Sequence, residues 1–150
     1  MAMKGTKLPI ILSTGMSTQK EVDETVNLLR GTDLSILHCV STYPTPPSEL
    51  NLNVIRTFQE KYPEFIIGYS GHETGLSTTY AAVALGAKII ERHITMDRSM
   101  WGTDHSGSVE PQGLKTLVTN IRDIESSLGD GIKKVTDSEV PIREKLRRIQ

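Results

Sequence analysis

The sequence predicts an α/β protein of four βα units with parallel strands, and three observations carry that prediction. Short continuous apolar runs recur along the chain. Each is followed by a segment with helical spacing of its apolar residues. Each helical segment then stops at a glycine, a proline or a polar turn. Alternation of this kind places a parallel sheet under helices, with strands that read as unbroken apolar runs. The 150 residues suffice for one ordinary domain. They are too few for a complete (β/α)₈ barrel, which takes about 250. A doubly wound sheet and a barrel both satisfy the alternation.

The first strand is expected over 9–12 and ends in Ser13-Thr14-Gly15-Met16. A helix opens at Ser17 or Thr18, where Thr18 and Glu21 have the spacing of a capping box. Val22, Val26 and Leu29 supply its apolar stripe, and Gly31 ends it. The second strand is expected over 34–40, followed by a loop whose Pro44, Pro46 and Pro47 forbid regular structure. A helix over 52–62 turns Ile55 and Phe58 inward. The third strand covers 65–70, and the small residues of 77–85 form the third helix, ended by Gly86. The fourth strand is expected over 87–93, and the last strong helix over 112–128. The polar remainder reads as a linker or a loosely docked helix, with a basic run at 143–148 that is read as a solvated surface.

Bulk properties exclude several function classes. A net charge of −1 offers no electrostatic case for nucleic acid or an anionic membrane. No apolar run approaches the roughly 20 residues of a membrane span. The first residues lack the apolar core of a signal peptide, and the lone Cys39 fits a reducing compartment, so a cytoplasmic location is expected.

Unusual polar residues cluster where the strands end. Ser13 and Thr14 follow the first strand, Ser41 and Tyr43 the second, Ser70 and His72 the third, and Glu91 and His93 close the fourth. The carboxyl ends of parallel strands form the active face of α/β proteins. His72 and His93 end neighbouring strands, which run about 4.8 Å apart, so both rings can reach one metal ion. Two histidines without a further ligand are a weak motif alone. His38 lies within an apolar strand and reads as a packed core residue. The serines singly are turn chemistry; together with helix N-termini they suit a phosphate.

The motifs Ser13-Thr14-Gly15-Met16, Cys39 to Pro44, Gly68-Tyr69-Ser70-Gly71-His72-Glu73-Thr74-Gly75, Glu91-Arg92-His93-Ile94-Thr95 and Asp104-His105 occur in one order over nearly the whole chain. In that order and spacing the chain resembles the sialic acid (N-acetylneuraminate) synthase family. The resemblance implies half of a (β/α)₈ TIM barrel over 1–129, corresponding to strands five to eight. It makes 130–150 a linker toward an antifreeze-like domain not included in these residues.

It also implies condensation of phosphoenolpyruvate with N-acetylmannosamine or its 6-phosphate, releasing phosphate. By the same resemblance His72 and His93 are the protein ligands of a Mn²⁺ or Mg²⁺ ion. Ser13 and Ser70 lie around phosphoenolpyruvate, and Tyr43 and Asp104 contact the amino sugar. Ser41 stands in the substrate-binding set where several bacterial members carry Asn, and Glu91 is an acid of the site motif. Synthases of legionaminic or pseudaminic acid and of spore-coat polysaccharide share the scaffold, and a non-catalytic binding fragment is the alternative from another class. A half barrel leaves two sheet edges and one apolar face open, so a homodimer that closes eight strands is expected.

Overall fold

The structure is a computed structural model that describes residues 2–147; the last three residues of the expected tail lie outside the described range. After a single helical turn, α1 (Ala2–Gly5), the order is β1 (Ile10–Ser13), α2 (Gln19–Leu29), β2 (Leu34–Cys39), α3 (Val54–Lys61), β3 (Ile66–Gly71), α4 (Ser77–Ala84), β4 (Ile90–Arg92), α5 (Pro111–Ser127) and α6 (Val140–Leu146). The four strands form one parallel sheet in the order β1-β2-β3-β4. Sequential order without reversal gives no switch point of the doubly wound kind, and it is the order in which a (β/α)₈ barrel adds its strands. The molecule is therefore half of such a barrel.

Side chains alternate across each strand, so register decides which residues share a face. Ile36 pairs with Ile67, and His38 with Tyr69, which in turn pairs with Ile90. This set, with Ile10 and Leu34, packs against Val22 and Val26 of α2, Ile55 and Phe58 of α3 and Ala82 of α4. Removing each such side chain from water contributes about 1.5–3 kcal/mol, so this one layer holds most of the stability. The helices supply the expected stripes. Thr18 and Glu21 form the reciprocal capping box at the start of α2.

The opposite face carries Ile11, Ser13, Ser35, Leu37, Cys39, Ile66, Gly68, Ser70 and Glu91. Ile11 and Ile66 on it are 59% and 51% exposed, whereas Leu37, Cys39 and Ser70 are buried. Gly68 is required midway along it. A Cβ there would lie 2.4 Å from Leu37 Cδ2 and 2.5 Å from the Ile89 carbonyl oxygen, so β3 would have to leave its neighbours.

One element differs from the sequence expectation. The fourth strand is only Ile90–Arg92, because Gly86 at φ +101° and the bond from the Ala87 N–H to the Ala82 carbonyl still belong to the end of α4. The lone Cys39 is buried, on the same face as Ser70. Residues 129–147 are exposed throughout, α6 included. Among the described residues no helix is long and apolar enough to cross a membrane.

His38 is the polar member of the packed layer. It is 6% exposed, and its Nε2–H donates to the Leu50 carbonyl at 2.7 Å. Burial pulls its pKa below the ordinary 6.5, only partly opposed by that carbonyl. The unfolded chain therefore binds the proton more readily. Stability is full above about pH 6.5 and falls as pH drops toward the lower folded value. Urea unfolding of the His38→Gln variant from pH 7.5 to 5 is expected to lose this part of the acid dependence while keeping the rest of the curve.

Candidate functional site

The rim is built by continuing the alternation past the last strand residues. Cys39, Ser70 and Glu91 share the open face through the pairs Cys39↔Ser70 and Ser70↔Glu91. Two residues further on each strand come Ser41, His72 and His93, on the same face by the period of two. The structure brings the two imidazoles together, with ring centres 5.1 Å apart and planes at 89°. The Tyr43 ring leans on both, 5.5 Å from His72 and 4.8 Å from His93.

The Nδ1 of His72 donates to the Val40 carbonyl at 2.7 Å, which fixes the tautomer and leaves Nε2 as the lone-pair nitrogen. The Cys39 sulfur lies 3.8 Å from the same Nδ1. His93 Nδ1 stands 3.8 Å from Asp104 Oδ2, too far for a hydrogen bond and in contact with solvent, so the pairing is weak. Among the described residues neither Nε2 has a hydrogen-bond partner.

These residues fit a divalent ion. An imidazole nitrogen binds such an ion at about 2.1 Å, and the ring centre lies about 1.1 Å behind it. Two rings on one ion at tetrahedral or octahedral angles therefore have centres about 4.5–5.3 Å apart, which brackets the observed spacing. The carbonyl on the far nitrogen of His72 is the usual outer partner of a ligating histidine. Among the described residues no group of three or more His, Cys, Asp or Glu converges, so two protein ligands is the number this rim offers.

The remaining residues of the expected site divide into two groups. Ser70 donates to Glu91 Oε2 at 2.6 Å, and Glu91 is otherwise open to solvent on the inner face. Ser13 lies lower on the same face, level with Leu37 and Gly68. Ser41 Oγ fills the space beside Gly15, where a Cβ would lie only 2.0 Å away. Tyr43 is held through its hydroxyl. Its hydroxyl donates to the Asp104 carbonyl at 2.7 Å, lies 3.1 Å from Ser108 Oγ, and its ring covers Gly107. Tyr43 thus ties the loop after β2 to the loop after β4. His105 is turned away to the Thr95 hydroxyl at 2.7 Å.

A cleft of about 780 Å³ opens between α2 and α3, lined by Thr14, Thr18, His38, Ser41 and Asn51 among others. Neither His72 nor His93 lines it, so the convergent imidazoles and this cleft are at different places.

Sequence reasoning did not find the network behind the rim. Glu73 is 1% exposed and accepts from the Tyr69 and Thr79 hydroxyls and from Arg92. Burial alone would raise its carboxyl pKa, but the Thr79 hydroxyl and the Arg92 charge together hold it below the usual range. Burial, with the Glu73 carboxylate beside it, pushes the Tyr69 phenol well up, so it remains a donor. The signal was available: residues beside His72 and His93 must face the helix layer, where a charge needs a partner.

A half (β/α)₈ barrel with a two-histidine rim defines the class, and similarity to known proteins defines the family. Residues 1–133 match the NeuB family, and the chain belongs to it. It is 44% identical over 135 residues to the N,N'-diacetyllegionaminic acid synthase of Campylobacter jejuni, covering 87% of this chain and 40% of that protein. It is 45% identical over 141 residues to the human N-acetylneuraminate-9-phosphate synthase, covering 92% and 39%. Among solved structures, the N-acetylneuraminic acid synthetase of Leptospira borgpetersenii in complex with citrate superposes with a TM-score of 0.85 at 39% identity, over 99% of this chain and 53% of that one. The chain spans about two fifths of the length of the curated relatives it matches.

Replacing Tyr43 by Phe keeps the ring against both imidazoles and removes the hydroxyl from Asp104 and Ser108. Chemical denaturation is expected to register a loss of about 0.5–1.5 kcal/mol. The imidazole resonances of His72 and His93 should hold their positions, since the aromatic ring stays in place.

Proposed function

We propose that this chain carries the metal-holding rim of a NeuB-type synthase that condenses phosphoenolpyruvate with N-acetylmannosamine or its 6-phosphate. The single observation that carries the reading is the pair of imidazoles at 5.1 Å on the ends of adjacent parallel strands. In the overall reaction, C3 of phosphoenolpyruvate bonds to the sugar aldehyde carbon, water adds at C2, and phosphate leaves with its bridging oxygen. His72 and His93 would hold Mn²⁺ or Mg²⁺ through neutral nitrogens. The bound ion supplies Lewis acidity toward the aldehyde oxygen.

The chain's own residues then divide the remaining work. Val40 keeps His72 in the tautomer that presents Nε2. Glu91, steadied by Ser70, offers an acceptor on the inner face for a proton from the water that adds. Ser13, Ser41 and Ser70 offer hydroxyls to the carboxylate and phosphate of phosphoenolpyruvate. The exposed carboxylate of Asp104 is available to sugar hydroxyls or the acetamido group, whereas Tyr43 presents mainly its ring.

Two matched relatives, a synthase of N-acetylneuraminate 9-phosphate and one of N,N'-diacetyllegionaminic acid, match at nearly equal identity. The Gly71-His72-Glu73 loop resembles the animal branch of the family and favours N-acetylneuraminate or its 9-phosphate as product. Two copies pairing at the open edges would cover Ile11 and Ile66 and bring eight strands around one interior.

Phosphate release from phosphoenolpyruvate, measured with Mn²⁺ in the presence and absence of N-acetylmannosamine or its 6-phosphate, tests the reading. Sugar-dependent release is expected, with loss of at least about a hundredfold in His72→Ala, since removing a ligand removes the ion. Release that ignores the sugar, or that survives in His72→Ala, would contradict it.

A further inference from the structure

We propose that the buried Glu73–Arg92 ion pair is a positioning clamp that sets the distance between His72 and His93. The inference deepens the metal-rim reading above and rests on it for its consequence, though not for its geometry. Each member of the pair is the chain neighbour of one imidazole. The strand alternation that turns His72 and His93 to the open face turns Glu73 and Arg92 to the helix side. Both side chains are almost completely buried, at 2% and 3% exposure.

The ladder between β3 and β4 ends at the pair Gly71↔Arg92, just before the two histidines. Beyond it their main chains are tied outward, not to each other: the His72 carbonyl accepts from the Thr45 N–H, and the His93 carbonyl from the Val109 N–H. Among the described residues, the hydrogen-bonded link across the gap is the Arg92 guanidinium, beside the Tyr43 ring that leans on both imidazoles. It donates to Glu73 Oε1 at 3.1 Å, to the Glu73 carbonyl at 2.6 Å, to the Gly75 carbonyl at 2.9 Å and to Thr79 Oγ1 at 2.7 Å. Two of those acceptors are backbone atoms of the loop that carries His72. A point charge cannot reproduce this fork.

Stability alone does not account for the arrangement. Buried ion pairs are often matched or exceeded by apolar residues of the same volume. Arg92 Nε, moreover, is buried without a hydrogen-bond partner among the described residues. What the pair provides that an apolar pair would not is a fixed separation between two loop segments. Groups hydrogen-bonded to a ligating histidine typically change metal affinity by about 10- to 100-fold, and a clamp that moves the ligand's backbone is expected to act at the lower end of that range.

The test uses Arg92→Lys, which keeps the charge and loses the fork, and the uncharged double variant Glu73→Gln/Arg92→Met, which keeps the volume if the single change does not fold. Folding is checked by thermal melting. The first readout is the nuclear Overhauser effect between the His72 and His93 rings in metal-free protein; the second is titration with Mn²⁺ alone. The expected result is an Overhauser effect between the rings of the unsubstituted chain that disappears in a folded variant, with Mn²⁺ affinity lowered at least about tenfold. A folded variant that keeps the effect would overturn the clamp, whatever its metal affinity. Disappearance of the effect in the variant, in a protein whose unsubstituted form never binds Mn²⁺, would uphold the clamp and sink the metal reading instead.

Discussion

The rim depends on one constraint, the register of β3 against β4. Tyr69 stands opposite Ile90 and Gly71 opposite Arg92, and from that pairing everything functional at the strand ends follows. One step of slip would send His72 and His93 to different faces, because side chains alternate with a period of two. Burial of Tyr69 and Ile67 under the helices holds the register, since slipping would turn them away from the helices and put Ser70 and the exposed Glu91 against the apolar layer in their place. The apolar layer thus sets the position of polar groups it never touches.

The two faces of the sheet are unequal, and that inequality carries the protein's character. The helix side contains the packed core and the one buried imidazole that serves structure, His38. The open side is lined by serines, a cysteine, a glycine and a carboxylate, with exposed isoleucines at its lower end. In a whole barrel this side is the packed interior, and its upper end is the site. A half barrel keeps the rim while leaving the lower end of the interior, at Ile11 and Ile66, exposed. The paired imidazoles and barrel closure are therefore separable features, one local to β3 and β4 and the other requiring further strands.

Much of the fold was legible because local and tertiary signals agree. Leu34 to Cys39 is apolar enough to be a strand buried on both faces, and all six residues are buried. Thr18 and Glu21 announce the helix start through chemistry complete within four residues. The fourth strand was less legible, since Ala87 to Ile89 look like strand residues while the turn at Gly86 still governs their backbone. At the site, the placement of His72 and His93 followed from spacing and resemblance. The hydroxyl of Tyr43 did not, because its partners, Asp104 and Ser108, come from a loop more than sixty residues away. Glu73 and Arg92 were read as parts of motifs; their pairing needs a register that sequence spacing does not give.

The central claim, that the paired imidazoles form a metal centre, is tested most directly by diffraction from crystals soaked in Mn²⁺ and measured for manganese anomalous scattering. The account predicts one strong peak within bonding distance of His72 Nε2 and His93 Nε2. A peak elsewhere, or an empty rim at saturating Mn²⁺ with both rings placed as described, would contradict it.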